Sequence, residues 1–168
     1  ELAKSRAVDP SAFAANPPFF IPAEISSDRV DNYYTVMDAD TTLRNFARSM
    51  TDGSPLQNSH NKFELPIGQS LEGDVRVLDG GVSVVRGAFY TVPGIKNGKV
   101  DTDSFILGVR AVVFTDLSVG FMGGSFHCEI CGRNMLTDSQ CRHIPGFHYT
   151  MGEGQERKQV LSTARIKD

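Results

Sequence analysis

Residues 65–92 read LPIGQSLEGDVRVLDGGVSVVRGAFYTV. Two runs rich in β-branched and aromatic residues flank Asp79-Gly80-Gly81. An Asp-Gly pair between such runs predicts an antiparallel hairpin, because both central residues of its tight turn take positive φ. That hairpin sets the fold class, and the rest of the chain is read outward from it.

Downstream, Asp101, Thr102 and Asp103 offer side-chain caps for a short helix over roughly 104–114. LSVGF (117–121) then reads as a strand, and QVLSTARI (159–166) as a last one. Upstream, DADTTLRNFARSMTDG (38–53) reads as a helix capped by Asp40 or Thr41 and ended by Gly53. Leu43, Phe46, Ala47 and Met50 recur on one face of it, which is the core face. NYYTVM (32–37) reads as a strand. Residues 1–32 carry Pro10, Pro17, Pro18 and Pro22, which block helix, yet Phe13, Phe19, Phe20 and Ile21 are too apolar for a free linker. An extended arm laid on the domain or on a neighbouring subunit is expected there. The order is α+β and mainly β: an antiparallel sheet or open barrel with flanking helices.

The chain has 168 residues, 40% of them hydrophobic and 22% charged, enough for one domain with a real core. A net charge of −3 with scattered Lys and Arg gives no footprint of direct nucleic-acid binding. No apolar run reaches the roughly 20 residues of a membrane helix.

All three cysteines fall in HCEICGRNMLTDSQCRH (127–143). An odd, clustered set argues against a disulfide framework and for metal in a reducing compartment such as cytosol. Cys128, Cys131, Cys141 and His143 form C-x2-C-x9-C-x-H, with CEICG in the form of a zinc knuckle. Thiolates and one imidazole suit a tetrahedral zinc, and four protein ligands leave no open position, so the ion is expected to be structural. His127 and His148 are alternative fourth ligands. The knuckle spans roughly 127–148. Being short of apolar residues, it needs the metal to fold, and it is expected to fix the far end of the LSVGF strand.

Three blocks together resemble the tailed-phage prohead (head maturation) proteases. The first is SPLQNSHNKFELPIGQS (54–70), the family's histidine block. The second is FILGVRAVVFTDLSVGF (105–121), a helix then a serine strand. The third is the cysteine loop CEICGRNMLTDSQCRHIPGFHY (128–149). The resemblance covers residues 33–168. It implies an antiparallel barrel like that of herpesvirus capsid proteases, with Ser118 as nucleophile and His60 as general base. It further implies a serine endopeptidase that cuts phage scaffold and capsid proteins inside a prohead assembled in the host cytoplasm. The third catalytic member is unassigned among His127, His143, His148, Asp116 and Glu153. The family's later strand, L-x-E-x-S-x-V, is expected to be missing, since TARIKD stands about where it begins. Residues 1–32 are then expected to lie on other virion proteins or on a second copy in a homo-oligomer. The alternative is a non-catalytic virion protein that keeps the protease-derived fold and its zinc.

Overall fold

The computed structural model describes residues 9, 11–58, 63–121 and 123–167. His60 lies outside them. The fold is α+β. A four-stranded sheet runs in the order β1-β5-β4-β3, from Phe19–Ser27, Ser83–Thr91, Gly68–Val77 and Pro55–Leu56. A three-stranded sheet runs β2-β11-β8, from Thr35–Met37, Ala164–Lys167 and Ser125–Cys128. Two small pairs complete the set: β6 (Lys96–Asn97) with β7 (Val100–Asp101), and β9 (His148–Met151) with β10 (Lys158–Leu161). The helices are α1 (Ala12–Ala15), α2 (Thr42–Asp52) and α3 (Thr102–Arg110). A closed barrel does not form: among the described residues the strands fall into four separate sheets and none closes on itself.

The predicted hairpin is β4 and β5. Leu78 N–H donates to Val82 O at 2.8 Å, and Gly80 and Gly81 both take positive φ in the turn. β1 uses residues of the proline-rich segment and pairs with β5. Helix is not wholly excluded there, because the four residues of α1 fit between Pro10 and Pro17.

Two compact units emerge from the contacts. The first comprises 1–25, 46–75 and 85–120, and the second 26–45, 76–84 and 121–168. In the first, Phe13 and Leu71 are buried with Tyr90 and Val92 packed against them, and the Phe13 and Tyr90 rings meet edge to face at 6.1 Å. Backbone approach matters at Gly87, where a Cβ would strike Glu72 O and the Met50 methyl. In the second, Val36, Val84, Cys128, Ala164 and Ile166 are buried.

Helix α2 begins at Thr42, directly after the expected cap position Thr41, whose carbonyl accepts from Asn45 N–H at 2.9 Å. The Asp38 carboxylate accepts from Thr41 N–H and Thr41 hydroxyl, both at 3.0 Å. The buried Thr42 hydroxyl donates to Ile166 O at 2.7 Å, tying the helix start to β11. Gly53 ends the helix at φ 103, as its position predicts.

Helix α3 begins on the expected cap: Asp101 accepts from Asp103 N–H and Ser104 N–H. It stops earlier than expected. Val113 N–H returns to Gly108 O at 2.8 Å and Val112 N–H to Val109 O at 3.1 Å, which is the Schellman pattern. The residue in the left-handed position is Val112, at φ 57 and 72% exposed. Glycine normally fills that place, and a β-branched residue there is strained. The chain then folds back so that the Phe114 ring stacks on Phe105 at 6.1 Å. Val112→Gly is expected to raise the unfolding free energy by about 0.5–1 kcal/mol, the left-handed penalty less the entropy glycine adds to the unfolded chain. A urea midpoint that does not rise would contradict strain at this turn.

Candidate metal centre

Strand β8 delivers the first sulfur. Its last residue, Cys128, pairs with Ala164 of β11 and is 1% exposed. The chain then turns tightly: Gly132 N–H donates to Cys128 O at 2.7 Å, and Cys128 N–H to Arg133 O at 2.9 Å. Gly132 sits at φ 72, so the turn needs the glycine that the CEICG knuckle supplies. Cys131 is thereby presented at the surface.

The return arm is held by polar side chains. The backbones of His127 and Asn134 first form an antiparallel bridge, and Met135 N–H donates to Phe126 O at 2.7 Å. Asn134 Oδ1 accepts from Leu136 and Thr137 N–H groups, and Asp138 Oδ1 from Gln140 N–H. Cys141 N–H donates to Asp138 O at 3.0 Å, which turns the third sulfur back toward the first two. Arg133 holds Asp138 at 3.1 Å and also reaches Gln140. Sequence pattern did not single out Asn134 or Asp138. Their signal was present, since Asn and Asp two or three residues before a turn commonly accept its N–H groups.

His143 supplies the nitrogen. Its ring meets Tyr149 edge-on, with centroids 4.8 Å apart. The Tyr149 hydroxyl brackets it, accepting from Ile144 N–H at 2.8 Å and donating to Arg142 O at 3.3 Å. The four donor atoms of Cys128, Cys131, Cys141 and His143 lie within 4.8 Å of one another, so this group can hold a metal ion. His127 is otherwise engaged. Its Nδ1 meets the carbonyl of Gly132 at 3.2 Å and so carries the proton, leaving Nε2 to accept from Ser125 Oγ at 2.8 Å. His148 is exposed at the start of β9.

The sulfurs are unequal. Cys131 is held down to about 7, chiefly by the Arg133 N–H donating to its sulfur, whereas burial pushes Cys141 up. Metal binding requires every ligand deprotonated, so it releases protons.

The base of the loop is clipped to β11 through Glu129. Its N–H donates to Thr163 O at 3.1 Å. Its carboxylate accepts the Thr163 hydroxyl at 2.6 Å and Arg165 Nε at 2.8 Å. Partial burial acts to raise the Glu129 carboxyl, but the Thr163 hydroxyl and the Arg165 guanidinium outweigh it and hold it below its ordinary 4.5.

Of the residues read as catalytic, His60 lies outside the described residues, so only the surroundings of Ser118 are seen. Ser118 is exposed in a segment, 117–121, that forms no strand. This corrects the expected LSVGF strand. Glycines at 120, 123 and 124 favour bends over a regular ladder. The idea that the metal loop fixes the end of that strand goes with it. Asp116 is exposed and accepts only from its neighbour Thr115, at 3.3 Å, among the bonds seen here.

Because the Glu129 carboxyl is depressed in the fold, its stabilising contribution is full above about 4.5 and is lost as pH falls through the lower folded value. Glu129→Gln is expected to cost about 1 kcal/mol at neutral pH, since the clip is partly solvent-screened. It is also expected to flatten the stability profile between pH 5 and 3. Paired urea titrations at the two ends of that range check this, and an unaltered acid slope would refute the assignment.

Comparisons with protein-family models, with curated proteins and with solved structures return no match. The residues of this chain carry the functional argument.

Proposed function

We propose that this chain is a serine endopeptidase of the prohead-maturation type, carrying a closed structural zinc site. In this reading Ser118 is the nucleophile. His60 takes its proton as the hydroxyl attacks the peptide carbonyl, then returns it to the leaving amine. Backbone N–H groups beyond Ser118 are natural oxyanion donors. The substrates are scaffold and capsid proteins of a tailed phage, met inside the prohead. Residues 1–32 contact other virion proteins.

The observation that carries the proposal is the assembled Cys3His cluster, the third of three sequence blocks that occur in the order His60, Ser118, cysteine loop. Two of its donor separations match zinc, within a set that spans up to 4.8 Å. Bonds of about 2.3 Å to sulfur and 2.0–2.1 Å to nitrogen give tetrahedral edges of roughly 3.8 Å between sulfurs and 3.6 Å between sulfur and nitrogen. Cys131 and Cys141 sulfurs stand 3.7 Å apart, and Cys128 Sγ stands 3.4 Å from His143 Nδ1. With four protein ligands the ion has no position for a substrate, so it staples the loop and leaves the chemistry to Ser118. The exposed Ser118 hydroxyl is open to a peptide.

One observation favours a second reading, a virion structural protein that cuts nothing. Residues 117–121 form no strand, and catalysis needs its nucleophile firmly placed. Coexpression with the cognate scaffold and capsid proteins separates the two. The peptidase reading expects cleavage by wild type, lowered at least about 1,000-fold in Ser118→Ala and in His60→Ala, with zinc content unchanged in both. Uncleaved partners, with the chain built stoichiometrically into virions, would establish the structural reading instead.

A further inference from the structure

We propose that the metal centre is also a peroxide-sensitive thiol site, in which Cys131 and Cys141 close a disulfide and eject the ion. The inference rests on reading the Cys3His cluster as a metal site.

Accessibility separates the three sulfurs. Cys131 is exposed, Cys141 is half-buried and Cys128 is 1% exposed. A cleft of about 540 Å³ opens onto Cys141 and His143, so a small oxidant reaches that side as well. The two accessible sulfurs are also close to each other. The Cys131 and Cys141 sulfurs are 3.7 Å apart, beyond the roughly 2.05 Å of a disulfide but close enough to join by a small shift of the exposed turn. Cys128 is placed to abstain. It is fixed in β8 by pairing with β11, and its sulfur faces His143 Nδ1 at 3.4 Å.

The arm between these two cysteines also has polar contacts of its own. Asp138 N–H on Asn134 O, Cys141 N–H on Asp138 O and the Arg133–Asp138 ion pair all close the arm between the two cysteines.

The oxidant is hydrogen peroxide. The Cys131 thiolate attacks one peroxide oxygen, the O–O bond breaks, and a sulfenic acid and hydroxide form. The Cys141 thiolate then attacks the Cys131 sulfur and displaces its oxygen as a second hydroxide. Two protons convert the hydroxides to water, so two electrons pass from the sulfurs to the peroxide oxygens. The ion keeps only Cys128 and His143, too few to hold it in competition with a chelator. A dithiol reductant with added zinc reverses the change.

The test titrates zinc-loaded full chain with hydrogen peroxide. A chromogenic chelator reads released zinc, and peptide mapping after alkylation in denaturant reads the linkage. Zinc release should track a Cys131–Cys141 disulfide one for one, with Cys128 recovered as an alkylated thiol. Cys131→Ser should form no disulfide under the same treatment, and Cys128→Ser should still form it. Three outcomes would overturn the inference: a dominant disulfide through Cys128, release of zinc with only sulfinic or sulfonic products, or retention of zinc against a large excess of peroxide. A reduced chain that takes up no zinc yet closes Cys131–Cys141 refutes the metal reading and supports the thiol pair. A chain that binds zinc but never forms that pair does the reverse.

Discussion

Three sulfurs and an imidazole nitrogen converge within 4.8 Å at the end of β8. Such a group is poorly stable by itself, since thiolates repel one another and the surrounding loop buries little. Leu136, Ile144 and Phe147 are all more than half exposed, so apolar burial does not hold this segment down. A cation that draws the four donors together converts a polar loop into a rigid one, and its binding free energy then becomes folding free energy. The strand pairing of Cys128 with Ala164 connects that local constraint to the buried layer formed by Val36, Ala164 and Ile166. The Glu129–Thr163–Arg165 clip makes the same connection with side chains.

β11 shows how one short strand organises several partners. Ala164 to Ile166 pair in parallel with Thr35 to Met37 on one side, and Ala164 to Lys167 pair antiparallel with β8 on the other. Ile166 O also receives the Thr42 hydroxyl at the start of α2, and the Asp38 N–H at 2.9 Å. The strand is therefore central in its sheet although it lies near the end of the sequence given. The QVLSTARI run that contains it divides in two. Ser162 N–H goes to Phe147 O, and Ala164 N–H to Tyr34 O. The backbone thus changes partners at 162–163, and one apolar run serves two sheets.

Much of this was legible because it depends on near neighbours. The Asp79-Gly80-Gly81 turn, the Asp101 cap, the Gly53 stop and the knuckle glycine each act within a few residues. So did the metal set: the C-x2-C-x9-C-x-H spacing named the ligands the fold assembles. The failures depend on distant partners. LSVGF alternates as a strand should, but residues 117–121 form no strand. The parallel β2–β11 contact joins segments far apart in sequence and leaves no local trace. The closed form of the barrel expectation failed for the same reason, since closure is a property of pairing between strands and not of any one run. Choosing among three histidines also needed space. Only the fold reveals that Gly132 and Ser125 take both nitrogens of His127.

The coordination shell of the bound ion tests the central claim most directly. X-ray absorption at the zinc edge, on full chain purified under reducing conditions, should fit three sulfurs at about 2.3 Å and one nitrogen at about 2.0–2.1 Å, with no oxygen. A shell containing a water oxygen or fewer sulfurs would contradict a closed structural site formed by Cys128, Cys131, Cys141 and His143. So would protein that carries no zinc at all.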